Sequence, residues 1–155
     1  MVGFLLLPLA VLGVITAGQL GLFSGAMPTD LGFRDGMLKA PGPNASNVVS
    51  SYAKKQIHTA YNEIEPIAFS GDGKIAFDKL MHILAGMDGA SIIKSDATYL
   101  YAQYQTPLLK FIDDVEFVLD EPAGLIQMRS ASRIGRKDFG TNRKRLERIR
   151  ELFNG

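Results

Sequence analysis

The chain begins with a continuous apolar stretch. Between Val2 and Phe23 there is no charged side chain, and only Thr16 and Gln19 are clearly polar. About twenty apolar residues in a helix cover the ~30 Å hydrocarbon core of a bilayer, whereas the apolar part of a signal peptide is usually only about 7–15 residues long. The pattern therefore predicts one transmembrane helix within a hydrophobic membrane anchor formed by residues 1–24.

A cleaved signal peptide is the alternative interpretation of this stretch. Pro8, Gly13 and Gly18 interrupt it, and the small residues Ser24 and Ala26 would suit the two small positions before a signal peptidase cleavage site. Membrane helices tolerate Pro and Gly where neighbouring helices pack against the backbone. We favour the retained anchor, in contact with other membrane-embedded protein.

A change of composition separates the anchor from the rest of the chain. Residues 25–46 are rich in Gly, Pro, Asn, Asp and Ser, which predicts a linker or a loop laid along another part of the protein. Residues 47–155 then form one soluble domain, near the ~100-residue size at which a single core can be stable without disulfides. The chain has no cysteine, so no disulfide is possible, and its formal net charge of +1 selects no partner.

Hydrophobic periodicity along the domain changes between strand and helix patterns. Apolar residues recur at helical spacing in two places, and each predicted helix has one apolar face. Elsewhere in the domain, apolar and polar residues alternate, which is typical of strands. We expect Thr141 or Asn142 to be the N-cap of the last helix. The predicted elements are strands over residues 64–69, 90–94 and 98–106 and helices over residues 74–87 and 141–153.

Two alternating segments in the second half of the chain predict a hairpin with a specific register. If Glu121–Gly124 make a four-residue loop, Glu116 lies opposite Arg129 and Phe117 lies opposite Met128. One face of the pair is then apolar and the other polar, as in a sheet that packs on helices by one face. The whole pattern indicates an α+β fold, a two-layer sandwich of an antiparallel sheet and two packed helices, preceded by one N-terminal transmembrane helix.

Two motifs in this region resemble a known family. The segments FIDDVEF, residues 111–117, and RSASRIGRKDFGTNRKRLERI, residues 129–149, are similar to the family catalogued as domain of unknown function 1499. The resemblance extends more loosely upstream to about Leu31. It implies a bacterial envelope or thylakoid-associated protein, often with an N-terminal export or anchor segment, and no established activity. Members commonly carry cysteine where this chain has Ala40 and Ala45, so any role tied to a thiol is lost.

The same motifs contain a charged cluster with two interpretations. In the first, the carboxylates neutralise Arg129 and Arg133 in a structural ion-pair network. In the second, the N-terminus of the last helix and the nearby Arg133, Arg136 and Arg143 bind the phosphate of a lipid head group or a nucleotide. We favour the first. The candidate residues for either role are Asp113, Asp114, Glu116, Arg129, Arg133, Arg136, Asn142 and Arg143.

The sequence contains no recognisable catalytic or metal-binding pattern. His58 and His82 lack a carboxylate or a second histidine at ligand spacing, and the serines occupy no nucleophile elbow. Asp113 and Asp114 are adjacent in a strand, so they point to opposite faces and cannot form a carboxylate dyad. Nucleic-acid binding is not expected, since Phe139 is the only aromatic residue in the C-terminal basic run. We therefore expect no enzyme activity, no cofactor and no metal.

These patterns favour a non-catalytic, membrane-anchored accessory subunit. Its helix and its extracytoplasmic domain would pack on the integral membrane protein subunits of a larger complex, for example a photosynthetic or respiratory one, in contact with membrane lipid. The resemblance implies a domain in the periplasm or the thylakoid lumen, whereas the positive-inside rule gives almost no signal because no Lys or Arg precedes the helix. The alternative is a binding module for an anionic small molecule or lipid head group, built from the basic loop and the N-terminus of the final helix.

Overall fold

The structure, a computed structural model, describes residues 3–43, 45–56 and 58–155. The described helices are α1 (Gly3–Gln19), α2 (Gly73–Ala85) and α3 (Thr141–Asn154). The described strands are β1 (Val48–Ser50), β2 (Ile67–Ala68), β3 (Ala90–Ser95), β4 (Tyr99–Gln105), β5 (Ile112–Asp120) and β6 (Leu125–Ser132). The α+β fold predicted from the sequence is confirmed.

The strands form one six-stranded antiparallel sheet. Its order is β1-β6-β5-β4-β3, and β2 pairs with β6 next to β1. The register of the β5–β6 hairpin is the predicted one, with Glu116 opposite Arg129 and Phe117 opposite Met128. The loop is a single 3-10 turn that ends at Gly124, whose φ of +64° favours glycine. The alternation of apolar and polar residues was therefore sufficient to fix which side chains share a face.

Helices α2 and α3 cover one face of the sheet and form the main core with it. Asp72 accepts a hydrogen bond from the backbone N of Ile75 (3.0 Å) and starts α2, and Gly86 follows its last residue. The prediction of two helices packed on the sheet is correct, and α2 ends slightly before the predicted residue 87. Fully buried members of this core are Leu80 and Leu84 of α2, Leu146 and Ile149 of α3, and Leu100, Val115, Phe117, Ile126 and Met128 of the sheet.

Two local predictions are wrong at the ends of elements. The strand predicted over residues 64–69 is only the two-residue β2, because Pro66 has no backbone N–H to donate to a ladder. The last helix begins at Thr141, as predicted, but its N-cap is Gly140 rather than Thr141 or Asn142. Strand β1 is absent from the sequence-based interpretation, since all three of its residues are buried and show no alternation.

Helix α1 lies at the predicted place but is shorter than predicted. It ends at Gln19, and Gly21, with a φ of +79°, turns the chain before the predicted end at Phe23. Val2, the predicted first residue, lies outside the described residues. Within the described parts of the chain, no helix has both the length and the apolar character needed to cross a membrane.

Residues 24–43, which we call the covering segment, lie along the face of the sheet opposite α2 and α3. Leu38 is only 1% exposed and packs in a second apolar cluster with Tyr52 and Tyr99. The backbone N of Gly32 donates to Glu116 Oε1 (2.7 Å). These contacts correspond to a loop laid along another part of the protein, which was the second of the two predicted alternatives, and not to a free linker.

Candidate functional site

Glu116 of β5 and Arg129 of β6 form an ion pair under the covering segment. Arg129 Nη1 lies 3.0 Å from Glu116 Oε2, and the two side chains are 4% and 0% exposed. Glu116 Oε1 also accepts hydrogen bonds from Tyr99 Oη (2.9 Å) and from the backbone N of Gly32 (2.7 Å). Arg129 Nε donates to the carbonyl of Lys39 (3.0 Å). The pair therefore joins the hairpin, β4 and the covering segment.

A second ion pair lies two positions further along the same face. Arg133 binds Asp114 in a fork, with Nε 2.9 Å from Oδ2 and Nη2 2.8 Å from Oδ1. Tyr101 Oη donates to Asp114 Oδ1 (2.6 Å) and accepts from Gln103 Nε2 (2.7 Å). Hydrogen bonding to Asp114 raises the pKa of the Arg133 guanidinium above its ordinary value, so the cation is stabilised. This arrangement corresponds to the structural interpretation of the cluster.

Asp113 faces the helix layer, which confirms that the two adjacent aspartates point to opposite faces. Arg145 of α3 donates through Nη2 to Asp113 Oδ2 (2.5 Å), and its guanidinium lies over the Tyr104 ring at 4.7 Å. By composition, Arg145 is only one of several basic residues in the C-terminal basic run. The sequence signal is its spacing of three residues from Asn142 and four from Ile149, which places it on the inward stripe of α3.

The N-terminus of α3 is occupied by a carboxylate from the same chain. Asp138 Oδ2 accepts from the backbone N of Asn142 (2.8 Å), and Oδ1 accepts from the backbone N of Gly140 (3.0 Å) and from Tyr61 Oη. Burial raises the pKa of Asp138, but these hydrogen bonds outweigh it and hold the pKa below its ordinary value. The position that the alternative interpretation gives to an external anion is thus filled by Asp138.

Asn142, Arg143 and Arg136 do not converge on one point. Asn142 is buried, and its amide donates to the carbonyl of Asn47 (3.0 Å), which ties α3 to the chain before β1. Arg143 Nη2 donates to the backbone carbonyls of Tyr61 (2.9 Å) and Glu63 (2.5 Å). Arg136 is exposed on the loop before α3. The eight candidate residues therefore separate into structural contacts on both sheet faces and one exposed arginine.

His58 differs from the expectation that both histidines lack a carboxylate, whereas His82 agrees with it. His58 Nε2 lies 2.7 Å from Glu63 Oε1, and hydrogen bonding to the carbonyl of Gln56 and to Glu63 raises the pKa of His58. His82 Nδ1 lies 2.8 Å from the carbonyl of Asp78 in the same helix. Within the described residues, no group of three or more His, Cys, Asp or Glu side chains could hold a metal ion.

The tyrosines give a testable consequence of this packing. Burial raises the pKa of all five phenols, that of Tyr104 to about 12, and nearby carboxylates raise those of Tyr99 and Tyr101 further. Tyrosines of an unfolded chain ionise near pH ~10. Because the folded pKa values are higher, the stability they contribute is complete below about pH 10 and falls as the pH rises through the raised values.

We therefore expect the tyrosinate absorbance of the native protein to appear well above pH ~10, together with loss of near-ultraviolet circular dichroism. The same chain in concentrated urea, as the control, should ionise near the ordinary value. Ionisation of the native tyrosines at the ordinary pH, with the circular dichroism unchanged, would contradict the described burial.

Comparison with known proteins agrees with the resemblance carried by the hairpin motifs. The comparison with curated proteins gave no match. A family model, described as a protein of unknown function (DUF1499), matches residues 40–153, from the end of the covering segment to the last turn of α3. Since this match spans most of the chain and includes both ion-paired strands, the chain belongs to the DUF1499 family.

Proposed function

We propose that the protein is a non-catalytic accessory subunit that attaches through α1 to the integral membrane subunits of a larger complex, with the sheet domain on the extracytoplasmic side. The observation that carries this proposal is the uncovered apolar surface of α1. Leu9, Val11, Leu12 and Val14 are 49–59% exposed, and at 100° per residue they lie on all sides of the helix. A helix that is apolar all round is stable in an apolar environment rather than in water.

The polar side chains near the end of α1 are compatible with such an environment. Thr16 Oγ1 donates to the carbonyl of Leu12 (2.8 Å), within the helix. Gln19 Nε2 donates to the carbonyls of Leu108 (2.8 Å) and Pro107 (3.2 Å), which belong to the loop between β4 and β5. These polar groups are satisfied by the chain itself, as apolar surroundings require.

The described part of α1 can be buried by protein partners as well as by lipid. Its 17 residues rise about 25 Å, compared with ~30 Å for a bilayer core. Contact with integral subunits, or local thinning of the bilayer, would complete its burial. A partner surface that covers α1 would satisfy its apolar side chains without requiring it to span the membrane alone.

The domain is held close to the end of α1, which suits a subunit that caps a complex at a fixed position. A Cβ atom on Gly18 would lie 2.8 Å from the Cα of Leu109, so the two backbones approach as closely as glycine permits. Phe23 stacks on Phe111 with the ring centroids 5.5 Å apart. The charged cluster also supports a structural role, because its buried carboxylates are paired with arginines of the same chain. The alternative of an anion-binding module has less support, since Asp138 occupies the N-terminus of α3.

The test is affinity capture through a C-terminal tag after mild detergent extraction of the native membrane. We expect stoichiometric integral membrane subunits to co-purify, and Leu12→Lys to abolish their capture because it places a charge on the exposed apolar surface of α1. Ile75→Lys is the matched control, since Ile75 is 70% exposed on α2 and should leave capture unchanged.

Release of the chain by high salt without detergent would contradict the proposal, as would recovery of a lone chain from every mild detergent. Equal capture by the Leu12→Lys and parent proteins would show that α1 does not make the attachment.

A further inference from the structure

The end of the sheet from which α1 leaves carries an exposed patch that the fold does not explain. Phe139 is 89% exposed, Leu108 is 56% exposed and Ile134 is 42% exposed. Ile134 and Phe139 belong to the loop between β6 and α3, and Leu108 belongs to the loop between β4 and β5. These two loops flank one apolar depression, whose lining includes Phe111, Ile134 and Phe139.

This patch is continuous with the apolar surface of α1. A Cβ atom on Gly25 would lie 3.0 Å from Ile134 Cγ1, and Gln19 binds the carbonyl of Leu108. The turn between them exposes Leu20 and Leu22 (75% and 69%). Whatever environment covers α1 is therefore next to the patch.

The backbone at this end is held in an unusual conformation. Phe139 has a φ of 53° and Lys110 has a φ of 57°, in the left-handed region that bulky L-residues rarely adopt. The Phe139 ring contributes almost nothing to the core, because most of it faces outward. Such conformations cluster at sites of function. The exposed ring and its unusual backbone conformation together indicate that Phe139 contacts something outside the domain.

Basic side chains border the apolar residues. Lys110 is partly exposed, and Arg136 and Lys137 are exposed. Of the nearby acids, Asp113 and Asp138 are buried in internal contacts. Asp88 is exposed on the β3 side of Lys110. The balance of exposed charge is positive. We call Leu108, Lys110, Ile134, Arg136, Lys137 and Phe139 the proximal surface.

We propose that the proximal surface lies against an anionic phospholipid bilayer, with the Phe139 ring in the interfacial region and Lys110, Arg136 and Lys137 at the lipid phosphates. Apolar side chains surrounded by Lys and Arg are typical of surfaces that bind the membrane interface. A protein-binding surface would instead be depleted of lysine at its centre. This inference rests on the proposed attachment through α1, which brings the surface to the membrane.

The chain contains no tryptophan, so a single introduced tryptophan reports on one position. In the full chain, Phe139→Trp is reconstituted into vesicles of phosphatidylglycerol and phosphatidylcholine, or of phosphatidylcholine alone. We expect the emission to shift to shorter wavelength and to be quenched by brominated lipid in the anionic vesicles only. Ile75→Trp is the control, since Ile75 is exposed in the first turn of α2 near the β5–β6 loop, and it should remain exposed to water in both kinds of vesicle. Adding Arg136→Gln and Lys137→Gln should weaken docking by about fivefold per charge removed.

Three outcomes would overturn the inference. Phe139→Trp emission that remains typical of water while the chain stays bound to vesicles would leave attachment through α1 intact but remove the proximal surface from the bilayer. Equal shifts in both lipid compositions would exclude recognition of the anionic head group. A shift seen only in the detergent-extracted native complex, and not in vesicles, would assign the surface to a protein partner. Failure of the chain to co-purify with integral subunits, together with failure to bind any vesicle, would instead contradict the proposed function itself.

Discussion

Replacing Arg129 by methionine is expected to lower the free energy of unfolding by about 3–5 kcal/mol, because Glu116 would then be a buried carboxylate without its cation. Glu116 is 0% exposed, and its other partners are the neutral donors Tyr99 and Gly32. The measurement is the urea midpoint of the full chain in a mild detergent, compared with that of the parent.

Arg148→Met is the matched control for this substitution. Arg148 pairs with Glu151 on the surface of α3, with side chains 59% and 66% exposed, and its removal should cost about 1 kcal/mol or less. In a double mutant of Glu116→Gln and Arg129→Met the losses should be less than additive, since each removes the partner that the other leaves unpaired. Equal midpoints for Arg129→Met and Arg148→Met would exclude a structural role for the Glu116–Arg129 pair.

The β5–β6 hairpin was predictable because the residues that determine its register are close together in the sequence. A strand has a period of two, so Glu116, Phe117 and Met128 allow only one register that separates apolar from polar residues. The two helices on the sheet follow from the same kind of local evidence, through apolar residues at helical spacing. The place of residues 24–43 was not predictable in this way, because glycine and proline determine turns but do not specify the surface against which a segment lies.

The partners of the charged cluster depend on contacts between distant parts of the chain. Arg145 reaches Asp113 across the helix layer, and Arg143 reaches the carbonyls of Tyr61 and Glu63. Composition does not distinguish these two arginines from the exposed Arg136, and only the helical spacing of Arg145 from Asn142 and Ile149 indicates an inward position. The role of Asp138 could have been considered from its position just before α3, where acidic residues stabilise free backbone N–H groups. The many basic residues indicated a site for an external anion at the N-terminus of α3, but Asp138 already occupies that position.

The family match begins at residue 40, yet the contacts of the fold extend further towards the N-terminus. Leu38 is buried in the cluster with Tyr52, Tyr99 and Tyr101, and Gly32 binds Glu116. If residues 24–43 belong to the folded unit, their removal would expose both buried ion pairs of the sheet face. The covering segment would then be part of the domain rather than a tether between α1 and the sheet.

Leu38→Ala tests this, and we expect it to cost about 2–5 kcal/mol of unfolding free energy, because it leaves a cavity in the buried cluster that Leu38 forms with three tyrosines and Val118. Met27→Ala is the control within the same segment. Met27 is 55% exposed, and its substitution should change the free energy by no more than about 0.5 kcal/mol. Both are measured by urea denaturation of the full chain in mild detergent. If Leu38→Ala were as mild as Met27→Ala, the covering segment would not be part of the cooperative unit, and the ion pairs beneath it would be open to water.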